Sequence, residues 1–156
     1  MRARSWAAPS GRRAWPFRGI PTAPRRWGAQ HDARRLPGGT VSIFDNGTAL
    51  GRPPRAVRYR IDPSARTATL IEQVSDPSDA PDSLCCGSAR KLSGGDWVIS
   101  WGGLPLVEEL TRSGQRVLAL HFDGSFFSYR ADALEPGRLS AESLRSAMDA
   151  QAPDTG

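Results

Sequence analysis

Residues 33–47 read Ala-Arg-Arg-Leu-Pro-Gly-Gly-Thr-Val-Ser-Ile-Phe-Asp-Asn-Gly, and residues 89–103 read Ala-Arg-Lys-Leu-Ser-Gly-Gly-Asp-Trp-Val-Ile-Ser-Trp-Gly-Gly. At a constant offset of 56 positions, Ala33, Arg34, Leu36, Gly38, Gly39, Ile43 and Gly47 recur as Ala89, Arg90, Leu92, Gly94, Gly95, Ile99 and Gly103. Two glycines between apolar runs are a hairpin signal. Their recurrence at this period points to stacked β-units, and usually to a propeller. The two copies differ beside the motif: His31 precedes the first, and Gly87 stands at the matching place in the second.

Outward from the motif, residues 30–36 are the expected hairpin partner of Val41-Ser42-Ile43-Phe44. Val57-Arg58-Tyr59-Arg60-Ile61 alternates apolar and charged side chains, the pattern of a half-buried strand. Asp62-Pro63-Ser64-Ala65 is a turn, and 67–74 is a β-branched strand. A loop rich in Asp, Pro and Ser spans 75–84 and leads into a second unit, with strands expected over 87–92, 97–101, 106–110 and 116–121. A further strand is expected over 126–130. In the tail, Ser140 is an N-cap and Glu142 lies in the first turn, while Leu144 and Met148 share a face. These predict a short amphipathic helix at about 141–150 that packs on the sheets. The fold class is therefore all-β and propeller-like: about two four-stranded blades of a larger propeller plus a short C-terminal helix. The expected division is a basic Arg/Pro-rich arm at 1–28, disordered or foreign to the native fold, two blades at 29–134, and a tail at 135–156.

Two blades are too few for a ring, which needs about four to eight. The chain is accordingly expected to be a piece of a larger propeller or a truncated gene product. Open blade edges would allow self-association. The 156 residues are enough for one ordinary domain with a sizeable core. The net charge of +5 is unevenly spread: residues 1–35 carry +8 and the remainder −3. A basic arm can bind nucleic acid through counterion release, but a solvated disordered leader or a misplaced start is the preferred reading, and no nucleic-acid partner is expected. No stretch approaches the roughly 20 apolar residues of a membrane span, and residues 1–30 lack the apolar run of a signal peptide.

No phosphate-binding loop, dinucleotide fingerprint, metal-binding His pair or serine elbow is present, so neither a cofactor nor a metal is expected. Cys85 and Cys86 are adjacent. Neighbouring cysteines close only a strained disulfide ring, and two ligands make a poor zinc site. Small half-buried residues, a redox pair or an intermolecular bridge all fit. Asp45-Asn46-Gly47 reads as a turn with a capping Asp. His121 reads as a blade-edge residue, Trp97 and Trp101 as inter-blade core, and Arg130 as an ion-pair partner or an anion ligand.

The triplet Gln30-His31-Asp32 is the chemical candidate. A neutral imidazole is a nucleophile if an acceptor on its other nitrogen fixes the tautomer. Asp32 cannot easily be that acceptor on a regular strand, because neighbours point to opposite faces. From these residues alone, a structural or surface histidine and a nucleophile both remain open.

Gln30-His31-Asp32-Ala33, Leu36-Pro37-Gly38-Gly39 and Phe44-Asp45-Asn46-Gly47 together resemble the arylsulfotransferase family. So do Cys86-Gly87-Ser88-Ala89-Arg90, Val98-Ile99-Ser100-Trp101-Gly102-Gly103 and Ser128-Tyr129-Arg130-Ala131. The similarity covers about residues 29–150 and is to the C-terminal part of the actinobacterial branch. The resemblance implies a β-propeller that moves a sulfuryl group from an aryl sulfate to a phenolic acceptor through a sulfohistidine. It implies that His31 is that catalytic histidine, and that members are often exported. It also implies further sulfate-holding histidines and an Arg on earlier blades. Residues 1–28 contain no His, so the chain alone is expected to lack the full active site. The alternative is a non-catalytic propeller module for binding or interaction.

Overall fold

The computed structural model describes residues 17–18, 27–124, 127–134 and 137–151. In chain order the elements are β1 (Phe17–Arg18), β2 (Gln30–Leu36), β3 (Thr40–Asp45), β4 (Arg55–Asp62), β5 (Thr67–Val74), β6 (Ser88–Lys91), β7 (Trp97–Ser100), β8 (Leu106–Leu110), β9 (Arg116–His121) and α1 (Ala141–Gln151). Strands β2 to β5 form one antiparallel meander and β6 to β9 a second. Strand β1 adds in parallel to the outer edge of β5, with Phe17 opposite Ala68. The chain is thus all-β, two four-stranded antiparallel blades with one short C-terminal helix. Most of the arm read over 1–28 lies outside the described residues.

The two inner hairpins share their register. Arg34 pairs with Ser42 and Arg35 with Val41; 56 positions on, Arg90 pairs with Val98 and Lys91 with Trp97. The correspondence then breaks. Ser88 lies opposite Ser100, but His31, not Asp32, lies opposite Phe44. Asp32 is the extra residue of a β-bulge, with φ at 53°. Asp is one of the few L-residues that enter this region readily. A bulge re-aims the side chains next to it, and here it moves His31 into the pairing position that Ser88 holds in the second sheet.

The sheets pack face to face. Phe44, Ala56 and Val74 of the first meet Ala89, Trp97, Ile99, Trp101, Leu106 and Leu110 of the second. Each large apolar side chain buried here contributes about 1.5–3 kcal/mol. Buried indoles need acceptors: Trp97 Nε1 donates to Glu72 at 2.8 Å and Trp101 Nε1 to Glu108 at 2.6 Å. Both tryptophans are inter-sheet core, as alternation predicts. Ile43, Val57, Tyr59, Ala68 and Leu70 cover the opposite face of the first sheet, where Trp27 Nε1 donates to the Tyr59 hydroxyl at 3.2 Å.

Polar clamps flank this core. Asp32 accepts from Arg90, from Arg34 Nε at 3.2 Å and from the Ala89 N–H at 3.4 Å. The arginines at both copies of one motif position therefore converge on a single carboxylate. Burial pushes Asp32 up, but the hydrogen bonds and charges of Arg90 and Arg34 outweigh it and hold the carboxyl below its ordinary value. Arg116 on β9 pairs with Asp76 at 2.6 Å, Asp79 at 2.7 Å and Glu108 at 2.6 Å, tying the 75–84 loop to the outer strand.

Two expectations are corrected. Residues 127–130 form no strand; Ser128 instead bonds to Ser100 and to the carbonyls of Leu104 and Leu106, so its polar groups are satisfied without a ladder. Phe126 lies outside the described residues. Helix α1 is capped as predicted, the Ser143 N–H donating to Ser140 Oγ at 3.0 Å, but none of its residues is buried. Leu144 and Met148 make too small an apolar face to dock it.

Gly87 sits at a close contact between the sheets. Its φ is 90°, and a Cβ there would run into the Phe44 ring and lie 2.8 Å from the Ser100 carbonyl oxygen. Gly87→Ala should cost roughly 2–4 kcal/mol, from strain plus overpacking, in urea unfolding. Gly94→Ala, with nothing within 4 Å of its Cβ, should stay within about 0.5 kcal/mol; equal costs would contradict the packing. For Asp32, a depressed folded pKa adds stability above the unfolded value, and that stability is lost as pH falls through the folded one. Unfolding midpoints measured from neutrality to acid should decline below about pH 4, and less steeply in Asp32→Asn. An unchanged slope would remove Asp32 from the acids linked to folding.

Candidate functional site

His31 is half-buried at the start of β2, next to the bulge. Its Nδ1 lies 2.6 Å from the carbonyl oxygen of Gly87. A carbonyl only accepts, so Nδ1 carries the hydrogen and, in the neutral ring, Nε2 keeps its lone pair. The acceptor that nucleophilic chemistry requires is thus a backbone group, contributed by the residue 56 positions along, the counterpart of His31 itself. Asp32 is engaged with the two arginines instead.

The segment 127–132 runs along the same corner. The Gly87 N–H donates to the Tyr129 carbonyl at 3.1 Å, so Gly87 is held on both of its polar atoms. The Tyr129 ring meets the His31 ring edge-on, centroids 5.4 Å apart and planes at 74°. The Arg130 guanidinium lies 5.2 Å from the Tyr129 centroid. Among the described residues Arg130 makes no ion pair; the cation faces an aromatic ring instead. Further along, the Ala131 N–H donates to Ser88 Oγ at 2.9 Å, and Asp132 pairs with Arg90. Tyr129 and Arg130 also line an open groove of about 610 Å³ with Leu120, Phe122 and Phe127, apolar and aromatic with a cation at its edge.

The Asp45-Asn46-Gly47 turn supports the histidine from the other side. Asp45 is fully buried and accepts from the N–H groups of Gly28 at 2.9 Å and Gly47 at 3.3 Å, the cap expected of it. It also takes Arg52 at 2.5 Å and Arg55 at 3.1 Å. Asn46 donates to the carbonyls of Ala29 at 2.7 Å and Cys86 at 3.0 Å. The turn reading missed these long-range bonds because both acceptors are backbone atoms.

The remaining candidates make no direct contact with His31. His121 ends the edge strand β9, is exposed, and lines the groove beside Tyr129 and Arg130, with no hydrogen bond or ring contact to His31 among the described residues. Cys85 is exposed and Cys86 partly so, both in the loop before β6. Their sulfurs are 2.7 Å apart, and this contact, with burial, pushes the Cys86 thiol up to about 11. Among the described residues no three His, Cys, Asp or Glu side chains form a metal-binding group, and no helix is long and apolar enough to cross a membrane.

No curated protein and no solved structure matches the chain. One family does, described as Arylsulfotransferase (ASST), over residues 7–123. The matched region starts inside the basic arm and ends just after β9, taking in both sheets, His31 and Gly87. With well over half of its length matched, the chain belongs to the arylsulfotransferase family.

Proposed function

We propose that this chain supplies the sulfuryl-carrying histidine of an arylsulfotransferase, with His31 as the nucleophile. The observation that carries the reading is the 2.6 Å bond from Nδ1–H to the Gly87 carbonyl, which in the neutral ring places the lone pair on Nε2. In the first half-reaction the Nε2 lone pair attacks the sulfur of an aryl sulfate. The S–O bond to the ring oxygen breaks, and the phenolate leaves with that electron pair. The ring gains positive charge as the N–S bond forms, and the Gly87 carbonyl stabilises it through Nδ1–H. In the second half-reaction a phenolic acceptor, giving its proton to water, attacks the same sulfur and the N–S bond returns its electrons to Nε2. No cofactor is required, because the imidazole carries the group between donor and acceptor.

The two sheets fit neighbouring blades of a propeller. The face of the first sheet bearing Ser42, Phe44 and Ala56 is covered by the second sheet. The matching face of the second sheet bears Val98, Ser100 and Val107 and continues into Leu118 and Leu120, each 48% exposed. A further sheet, on a longer chain or a second copy, would cover that surface and could bring the cations that hold the sulfate. The apolar groove beside Tyr129 favours the second reading, a non-catalytic binding module, if transfer chemistry is absent.

The test is incubation of the purified protein with 4-nitrophenyl sulfate and a phenol. With the sulfate-holding cations of other blades missing, a slow release of nitrophenol is expected, together with an acid-labile gain of one SO₃ at His31. His31→Asn should abolish both, lowering the rate by more than about 10³-fold. Neither release nor mass gain in the native chain would overturn the enzymatic reading and leave the binding module.

A further inference from the structure

We infer that Asn46 is a positioning residue for His31: its amide fixes the Cys86–Gly87 corner and thereby holds the imidazole in the Nδ1–H form. The inference deepens the reading of His31 as sulfuryl carrier and rests on it for its functional meaning.

Asn46 is 1% exposed, and every polar atom of its amide is used. Nδ2 donates to Ala29 O at 2.7 Å and to Cys86 O at 3.0 Å, and Oδ1 accepts from Ser83 Oγ at 2.5 Å. The flipped amide would set its oxygen against two carbonyls, so the chemistry of the acceptors fixes the orientation. Ala29 lies two residues before His31, and Cys86 one residue before Gly87. One side chain therefore ties the segment that carries the imidazole to the peptide just before the carbonyl that accepts its hydrogen bond.

Both ends of that tie need restraint. Ala29 has φ of 54° and Cys86 of 64°, a region that L-residues rarely adopt. Gly87 follows at 90°. Left without these bonds, the corner would relax toward ordinary backbone and carry the carbonyl off the Nδ1 direction. The turn itself does not demand Asn46: the positive φ belongs to Gly47, and Asn46 has none. Its bonds span 17 and 40 residues rather than the turn. Ser83 completes the arrangement, since its hydroxyl also contacts Cys85 O at 3.2 Å and receives the Gly103 N–H at 3.3 Å.

The chain has two histidines, so ring-¹⁵N labelling of the full protein gives two spin systems, with His31→Gln assigning them. At about pH 8.5, above the ordinary imidazole range, native His31 should show the Nδ1–H pattern. Asn46→Asp keeps the shape but removes both donors. It should shift His31 to a mixture in which Nδ1–H is less than half, while His121 stays unchanged. Ser83→Ala should move His31 the same way by a smaller amount. An unaltered Nδ1–H pattern in folded Asn46→Asp overturns the inference. If that variant does not fold, an unaltered pattern in Ser83→Ala does so. A native His31 in the Nε2–H form overturns it outright. A native Nδ1–H pattern that shifts in the variants, in a chain that transfers no sulfuryl group, upholds the positioning by Asn46 and removes only the sulfuryl reading.

Discussion

At residue 87 there is room for a hydrogen atom and nothing larger. Phe44 fills the space where a side chain would begin, and the backbone adopts a φ of 90°. This allows the second sheet to come close enough to the first for its inner strand to lie beside β2. The carbonyl of that residue then reaches the His31 ring, and its N–H reaches Tyr129. The inter-sheet core, the imidazole tautomer and the course of the segment after residue 127 all meet at this contact.

Charge arrangement and apolar packing act together there. The core of Phe44, Trp97 and Trp101 is non-directional and would tolerate sliding of one sheet on the other. The directional element is ionic: Asp32 binds Arg34 of its own strand and Arg90 of the neighbouring sheet, and Arg90 continues to Asp132. Buried ion pairs repay their desolvation only with good geometry and further hydrogen bonds. Asp32 has both in the Ala89 N–H and two guanidinium groups, because the bulge turns it out of the ladder.

Strand positions were legible from composition and repetition. Residues 67–74 form the strand that their β-branched side chains predict, and 106–110 and 116–121 the strands expected of a second unit repeating the first. The bulge was not legible, since nothing in Gln30-His31-Asp32 signals a residue at positive φ. The segment 126–130 has strand-forming side chains, but Ser128 is bonded to the carbonyls of Leu104 and Leu106 at the start of β8, a tertiary demand that local propensity does not contain. Leu144 and Met148 look like a docking face by spacing, yet two residues bury too little to hold a helix. At the candidate site, His31 was readable as a residue, whereas its acceptor was not: a backbone oxygen leaves no letter in the sequence, and Gly87 stood out only as an absence. Asn46 was visible as half of an Asn-Gly turn, and its bonds to Ala29 and Cys86 follow only from the chain's long-range course.

The meeting of His31 with its own counterpart also bears on how such an array can grow. Tandem duplication is the simplest way to lengthen a series of similar sheets. Between these two units the copy is not exact: Gly87 has no side chain because the Phe44 ring and the Ser100 carbonyl fill the space where one would begin, and the bulge at Asp32, absent from the second unit, sets His31 opposite Phe44 as Ser88 is set opposite Ser100. The joint between the sheets thus rests on the positions at which the two copies differ.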